Sequence, residues 1–377
     1  MIETNPSSRS MPTSFVEPSL HDDNDDGDSR SAEAFAGRML DVLNGGFLSV
    51  MVSIGHQTQL FDVLATLPSS TSHEVARAAA LHERYVREWL GAMVTGGIVD
   101  YDPSEGTYFL PRHRAACLTR AAGSDNLASL SQFVSLIGEV EGPMVEVFHR
   151  GGGLPYSAFP RFHALMAEES RAVFESTLLS RTLPLISGLP SALESGIDVA
   201  DIGCGQGDAL LLLAQRFPMS RFVGIDLSPQ AIARARDAAT ERTLSNLDFR
   251  VQDAASFVGE PTFDLITAFD AIHDQAQPRR VLSAIRKRLK PTGVFLMVDI
   301  HVSSRLECNL AHPFAPFLYT ISTLHCTPVS LAEGGEGLGA CWGEEKAREL
   351  LAEAGFSSVE VRRVEGDMVN AYFICRP

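Results

Sequence analysis

The chain has 377 residues, of which 45% are hydrophobic, and a formal net charge of −16 at pH 7. This length exceeds one ordinary domain and predicts at least two. The negative charge argues against nucleic acid as the main partner, because phosphate would be repelled. The chain contains no uninterrupted run of about 18 apolar residues, so we expect no membrane span and no membrane partner.

The N-terminal segment, residues 1–30, is rich in Ser, Pro, Asp and Asn and lacks the apolar stretch of a signal peptide. We expect it to be a disordered acidic tail. The six cysteines form no C-x-x-C pair and have no metal-ligand spacing. This pattern predicts reduced thiols, a cytoplasmic location and no metal site.

Residues 31–120 are predicted to form a mainly helical domain. Its first segment, "AFAGRMLDVLNGGFLSVMV", is apolar on nearly all sides, so we expect a buried helix, with a second subunit as one candidate partner. Helices near 71–79 and 83–95, followed by "GIVDYD", a turn and "TYFL", make a winged-helix pattern. From 71 to 120, six Arg are balanced by six Asp plus Glu, so packing or dimerisation is favoured over DNA binding.

After residue 120 the sequence pattern is first helical and then alternates between strand-like and helical segments. Residues 121–190 predict a helical linker and lid, interrupted by the loop "HRGGGLPYSAFP". In residues 191–377, strand-like segments such as "IDVADI", "RFVGID" and "FDLITAF" alternate with helical ones. This alternation predicts an α/β fold, a Rossmann-like sheet of mainly parallel strands. The segments "VEVRRV" and "MVNAYFIC" predict a terminal hairpin, so we expect seven strands with the last one antiparallel.

A glycine-rich turn follows the first strand of this domain in the sequence "VADIGCGQGD". Its glycines are Gly203, Gly205 and Gly207, and Asp208 takes the place of the third glycine of a dinucleotide-binding turn. A carboxylate at that place, and Asp201 before the turn, are unfavourable beside a pyrophosphate and suitable for an ammonium group. S-adenosylmethionine carries an ammonium and a sulfonium and no phosphate. The alternative is a turn that serves packing alone.

Two further acids follow the next two strands. Asp226 lies 21 positions after Gly205, the usual place for a carboxylate that holds ribose hydroxyls. Asp253 ends the third strand, where it could accept a hydrogen bond from an adenine amino group. Sites for NAD and sites for S-adenosylmethionine both have this ribose-binding acid, so Asp226 alone does not distinguish the two cofactors. The glycine turn together with the acids is more informative about the cofactor than either feature alone.

This combination resembles the class I S-adenosylmethionine-dependent methyltransferases over residues 196–377. The resemblance implies that Gly203 and Gly205 lie under the methionine moiety, that Asp226 holds the ribose and that Asp253 holds the adenine. It further implies cofactor contacts from Asp201, Leu227, Ala254 and Phe269. The whole chain, through "RYVREWLGAMVTGGIVDYD", "GGGLPYSAF" and "SLAEGGEGLGACWG", resembles bacterial two-domain methyltransferases with an N-terminal winged helix, the mycobacterial Rv2258c-like proteins.

A candidate base follows the fourth strand. His273 lies where open α/β sheets bind their ligands, and a histidine suits proton removal from a hydroxyl or protonated amine. His273-Asp274 also resembles the His-Asp pair of plant-type small-molecule O-methyltransferases, which implies Asp299 and Glu336 as orienting acids. The chain departs from them because no Trp follows the pair. The alternative is a histidine that only lines the cofactor pocket.

The acceptor side is predicted from a helix and an insertion. Phe162, Met166 and Ser170 are spaced by four on one helical face, which by itself indicates a core stripe. The resemblance to plant-type enzymes implies acceptor contacts from Phe162 and Met166 and a cofactor contact from Ser170. Trp342, in the insertion 308–342, is a further candidate acceptor contact. "TISTLHCTP" contains one Cys beside one His, which we interpret as structural.

The function favoured by these residues is methyl transfer from S-adenosylmethionine to a small-molecule hydroxyl or amine, by a cytoplasmic homodimer formed through the N-terminal domain. One alternative is a methyltransferase that acts by proximity alone on an amine or thiol. Another is a transcriptional regulator that senses the cofactor. A dehydrogenase is disfavoured by Asp201 and Asp208.

Overall fold

The computed structural model describes residues 25–260, 262–365 and 367–377. The predicted tail lies outside these residues up to position 24, and its last six residues, 25–30, belong to the first helix.

The first helix, α1 (Asp25–Gln57), is divided between two compact units of the chain. The chain up to Phe47 forms a unit of its own, and the chain from Leu48 onward forms the second. In the first unit, helix residues 31–47 are almost all exposed, so the predicted burial is not met within one chain. Large apolar side chains are among them: Phe35, Met39, Leu40, Leu43 and Phe47.

Among the described residues, one helical stretch, Ser31–Gln57, is long and apolar enough to cross a membrane. This judgement rests on length and composition alone, and core helices of soluble proteins meet the same criterion. The predicted absence of a membrane partner therefore stays a prediction.

The winged-helix prediction is confirmed. Helices α2 (Leu60–Thr66), α3 (Ser72–Ala79) and α4 (Glu83–Thr95) precede strands β1 (Asp100–Asp102) and β2 (Thr107–Phe109), which pair antiparallel. The α3 helix begins where it does because Thr71 and Glu74 form a reciprocal capping box. A small core around the Phe61–Trp89 ring pair holds these elements together.

The connecting region is helical, as predicted, and runs from the wing to the sheet. Its α-helices are α5 (Arg112–Ala115), α6 (Leu127–Leu130), α7 (Gln132–Gly138), α8 (Glu141–Arg150), α9 (Phe162–Val173) and α10 (Leu189–Ser195). Short 3-10 turns are Arg120–Asp125, Tyr156–Ala158 and Leu183–Leu185. The α9 helix continues as a π-helical stretch, Phe174–Thr182.

The C-terminal domain contains the predicted seven-stranded sheet. Its strands are β3 (Asp198–Ile202), β4 (Arg221–Asp226), β5 (Leu247–Val251), β6 (Phe263–Phe269), β7 (Leu289–Ile300), β8 (Ser358–Arg362) and β9 (Asn370–Arg376). The spatial order is β5-β4-β3-β6-β7-β9-β8. The last strand, β9, runs antiparallel to both neighbours and lies between β7 and β8, so the antiparallel strand is last in sequence and internal in space.

Helices cover both faces of the sheet, which explains why its strands are rich in buried apolar residues. They are α11 (Asp208–Arg216), α12 (Pro229–Glu241), α13 (Pro278–Arg288), α14 (Ala315–Ile321), α15 (Thr327–Ala332) and α16 (Gly343–Glu353), with a π-helical segment, Ser322–Cys326, between α14 and α15. Successive residues of β3 enter different cores: Val199 packs with α10 to α12, and Ala200 packs with α13 and α16. Because β3 to β7 are parallel, their carboxyl ends meet at one edge.

Candidate active site

The glycine turn connects the carboxyl end of β3 to α11. Gly203, Gly205 and Gly207 all have positive φ, of +72°, +54° and +79°. A Cβ on Gly203 would lie 2.4 Å from the Ala271 Cβ, and one on Gly207 would lie 2.3 Å from the Phe249 ring. Beside Gly205 the space is open to 4 Å. Two of the glycines therefore allow close packing, and Gly205 marks the open side of the turn.

Asp226 at the end of β4 is held beside this turn. One carboxylate oxygen accepts from the Gly205 amide at 2.9 Å, and the other accepts from the Ser228 amide at 2.8 Å. Each oxygen keeps a lone pair for a further donor such as a ribose hydroxyl. Leu227, the next residue, is exposed, so it offers apolar surface next to the carboxylate.

Asp201 is buried under the turn. It accepts a hydrogen bond from the Thr267 hydroxyl at 2.7 Å. Burial raises its pKa to about 7, with a contribution from the charge of Asp226, and the Thr267 hydrogen bond opposes the rise. An ammonium group near this carboxylate would favour its charged form.

The remaining predicted cofactor contacts lie at the ends of β5 and β6. Asp253 accepts from the Ala255 amide at 2.8 Å and so begins a 3-10 turn, and Ala254 is buried in that turn. Phe269 packs edge-on against Phe174 with ring centroids 4.9 Å apart. The strand order therefore brings these residues to the same edge as Asp201, Gly205 and Asp226.

An ion pair connects α9 to the helix that follows the glycine turn. Arg171 Nε lies 2.9 Å from Asp208 Oδ1, at the first residue of α11. Ser170, the predicted cofactor contact, precedes Arg171 and is half-buried. The carboxylate of Asp208 occupies the helix N-terminus where a dinucleotide pyrophosphate would bind, which disfavours that ligand.

His273 and Asp299 form a buried pair. Nδ1 of His273 lies 2.8 Å from Oδ1 of Asp299, as the predicted orienting role requires. The same oxygen accepts from the Ile300 amide at 2.8 Å and from the Trp342 indole at 3.0 Å. An ionised carboxylate can only accept, so the geometry assigns the Nδ1 proton to the histidine and leaves Nε2 on the opposite side.

Asp274 covers that opposite side. Its Oδ1 lies 3.3 Å from Nε2 of His273, and its Oδ2 accepts from the Tyr156 hydroxyl at 3.1 Å. Burial lowers the pKa of His273, but the charges of Asp299 and Asp274 outweigh it and hold this pKa well above its ordinary value. Both carboxylates therefore favour the doubly protonated form of the imidazole.

A further carboxyl group, which the sequence reasoning did not identify, lies near the pair. Asp270 has φ of +50° and is half-buried, with its Oδ1 atom buried. Burial raises its pKa to about 7, and the charge of Asp299 adds to the rise. The left-handed backbone just after β6 could not be read from the sequence, because Asp adopts it only in particular turns.

Two predicted site residues have other partners. The carboxylate of Glu336 lies 3.2 Å from Nε of Arg279, rather than orienting His273 as predicted. Trp342 is buried, and its indole donates to Asp299. It therefore stabilises the His273–Asp299 pair, which differs from its predicted role as an acceptor contact.

The predicted acceptor contacts on α9 face the insertion. The ring of Phe162 stacks on His325 with centroids 3.5 Å apart and planes at 15°. Met166 packs beside Phe133 and Phe317. The α9 helix and the insertion 308–342 are therefore in contact, and the acceptor contacts stay a prediction.

Cys326, which the sequence indicates as structural, is buried beside the His273-Asp274 pair. Its sulfur, His273 and Asp274 bring three possible metal-ligating atoms within 4.8 Å of one another. No spacing rule could have found this cluster, because Cys326 follows His273 by 53 positions.

Comparison with known proteins matches two separate parts of the chain to described families. Residues 46–120 match the Rv2258c-like winged HTH domain, and residues 193–362 match a methyltransferase domain. The chain joins an Rv2258c-like winged helix to a methyltransferase domain. The matched ranges agree with the wing and the sheet described above.

Curated relatives are similar over part of the chain. An uncharacterised methyltransferase of Synechocystis is 36% identical over 114 residues, which are 29% of this chain and 50% of that protein. Trans-aconitate 2-methyltransferase of Deinococcus radiodurans is 34% identical over 155 residues, which are 38% of this chain and 57% of that protein. The chain thus spans about half the length of these relatives.

Solved structures are similar over almost the whole chain. PigF with SAH has a TM-score of 0.67 at 18% identity, covering 90% of this chain and 98% of that one. Human N-acetylserotonin methyltransferase in complex with SAM has a TM-score of 0.63 at 18% identity, covering 90% and 97%. At these identities the likeness shows that the two-domain fold is shared.

Proposed function

We propose that the chain transfers a methyl group from S-adenosylmethionine to a small-molecule hydroxyl or amine. The observation that carries this proposal is the group of Asp201, Gly205 and Asp226 at one sheet edge, where the carboxylates suit a cationic, phosphate-free nucleoside. The methyltransferase-domain match and the SAM- and SAH-bound neighbours support it.

The residues present fit this cofactor. When bound, it supplies a methyl group on a sulfonium, and transfer leaves S-adenosylhomocysteine. Asp226 would accept from the ribose hydroxyls, Asp253 would accept from the adenine amino group, and Asp201 with the open side of the turn at Gly205 would hold the methionine end. Leu227 supplies exposed apolar surface next to the ribose acid, and Ser170 on α9 is proposed as a further cofactor contact.

His273 is proposed as the base for the acceptor. A hydroxyl that attacks the methyl carbon must lose its proton, and Nε2 is the nitrogen that Asp299 leaves free to accept it. Asp274 faces that nitrogen, so the acceptor hydroxyl would displace its carboxylate as it binds. Phe162 and Met166 on α9 are proposed to contact the rest of the acceptor.

A second candidate mechanism is supported by the raised pKa of His273. A protonated histidine cannot accept a proton, and Asp299 and Asp274 hold this pKa well above its ordinary value. A neutral amine or a thiol could instead be methylated by alignment alone.

The regulator alternative is not favoured. On α4, Arg84 and Arg87 pair with Glu88 and Glu83, which neutralises their charge, and the wing exposes Asp100 and Asp102. A phosphate backbone would gain little from this surface.

Calorimetry tests the cofactor. We expect the purified chain to bind S-adenosylhomocysteine and to show no heat with NADH at the same concentration, because Asp208 and Asp201 disfavour a pyrophosphate. Tight NADH binding with no S-adenosylhomocysteine binding would overturn the proposal.

We further propose a cytoplasmic homodimer. The exposed apolar side chains of α1 between Phe35 and Phe47 form a surface that a second copy would bury. All six cysteines are free, which suits a reducing compartment.

Sedimentation should give a dimer for the full chain and a monomer for Phe47→Asp, with Phe148→Asp, an exposed residue on α8, as the control. A monomeric native chain contradicts this proposal.

A further inference from the structure

Three side chains of different chemistry meet beside the candidate base. They are the imidazole of His273, the carboxylate of Asp274 and the thiol of Cys326, whose ligand atoms lie within 4.8 Å of one another. His273 and Cys326 are buried, and the side chain of Asp274 is 10% exposed. Nitrogen, oxygen and sulfur donors in one buried cluster are the set that Zn²⁺ takes.

The histidine of this cluster is oriented as a metal ligand is. Its Nδ1 is held by Asp299 at 2.8 Å, so Nε2 is the nitrogen directed toward Asp274. Asp299 is itself held by the Ile300 amide and the Trp342 indole. A carboxylate that fixes the far nitrogen of a ligating histidine is the usual outer shell of a zinc site.

The carboxylate has an oxygen available for a metal. Oδ1 of Asp274 is buried and has no aligned hydrogen-bond partner in the described part of the chain, although it lies 3.3 Å from Nε2 of His273. The other oxygen is held by Tyr156 at 3.1 Å. A buried carboxylate oxygen that makes no aligned hydrogen bond is costly unless a further partner binds it.

The thiol comes from an irregular helix. Cys326 ends the π-helical segment Ser322–Cys326, and such segments are frequent at functional sites. Tyr156, which covers Asp274, is 38% exposed and lies in a short turn after Gly151 and Gly152, both with positive φ. The residue that covers the cluster is thus itself partly exposed to solvent.

We propose that His273 Nε2, Asp274 Oδ1 and Cys326 Sγ bind a Zn²⁺ ion and leave its fourth coordination position open. On binding, the thiol loses its proton to solvent and the imidazole binds through its neutral Nε2 lone pair. The metal and the methyl acceptor then compete for Nε2, so the zinc-loaded chain cannot use His273 as a base. The site does not depend on the proposed methyl transfer.

Titration of the full, metal-free chain with Co²⁺ tests the site. We expect one equivalent to give intense tetrahedral visible bands and a thiolate-to-cobalt charge-transfer band, and Zn²⁺ to displace it. Cys326→Ser should lose the charge-transfer band. Asp299→Asn, which alters the outer shell, should weaken Zn²⁺ affinity by about 10–100-fold. Cys308→Ser, an exposed cysteine, should keep the native spectrum.

The titration is made without cofactor, so its outcome is independent of methyl transfer. Absence of the charge-transfer band in the native chain, or its retention in Cys326→Ser, overturns the site. Its loss in Cys308→Ser alone assigns the metal to adventitious surface binding and also overturns it. Circular dichroism checks the fold of each variant. If Cys326→Ser is unfolded, Asp274→Asn decides, because unchanged Zn²⁺ affinity in that variant contradicts the proposal.

Discussion

Replacing His273 with glutamine is expected to lower kcat by about 10²–10⁴-fold with an acceptor that carries a hydroxyl, the range that a general base contributes. Glutamine can still donate to Asp299 and does not approach Asp226, so S-adenosylhomocysteine affinity should be unchanged. The measurements are steady-state turnover and calorimetry. His301→Gln is a matched control, because His301 follows the end of the neighbouring strand β7 and lies outside the pair.

Full turnover by His273→Gln would show that no base is needed at this position. That result would favour the alignment-only mechanism for an amine or thiol and leave the cofactor assignment untouched.

The pH dependence follows from the charges around His273. Its pKa is held above the ordinary 6.5 by Asp299 and Asp274, and a base works only when deprotonated. Thus kcat/KM should be low at acidic pH and rise as pH passes through this raised pKa. Asp299→Asn removes one of the two charges, so the rise should move to lower pH by about 1–3 units. An unmoved rise in Asp299→Asn would contradict the assignment of that rise to His273.

Replacing Asp226 with alanine is expected to weaken S-adenosylhomocysteine binding by about 10²-fold or more. Each hydrogen bond to a charged group contributes about 1.5–3 kcal/mol, and a factor of ten corresponds to about 1.4 kcal/mol. Calorimetry measures the loss. Asp248→Ala is the control, because Asp248 lies on neighbouring β5 and pairs only with exposed Arg250 among the described residues.

Asp226→Ala also removes the acceptor of the Gly205 and Ser228 amides. Thermal unfolding is therefore measured beside binding to check that the variant is folded. A folded variant with native affinity for S-adenosylhomocysteine would contradict the assignment of Asp226 to the ribose. Retained folding with lost affinity would separate the binding role of Asp226 from its role in holding the turn.

The sequence alone predicted the fold class and the sheet edge at which the candidate cofactor-binding acids lie. Strand and helix patterns are local, and the carboxyl ends of parallel strands meet at one edge, so acids that end β3, β4 and β5 were expected together. The His273–Asp299 contact was predictable for the same reason, because β6 and β7 are neighbours whose ends lie side by side.

Tertiary structure decided the rest. Cys326 and Tyr156 lie beside His273 and Asp274, although they come from distant segments of the chain. Glu336 pairs with Arg279. Contacts between distant segments depend on tertiary packing, which residue spacing in the sequence does not encode. The insertion of β9 between β7 and β8 and the exposure of α1 up to Phe47 also required the fold. The raised pKa of His273 follows from the two carboxylates, Asp299 and Asp274, that packing places on either side of its ring.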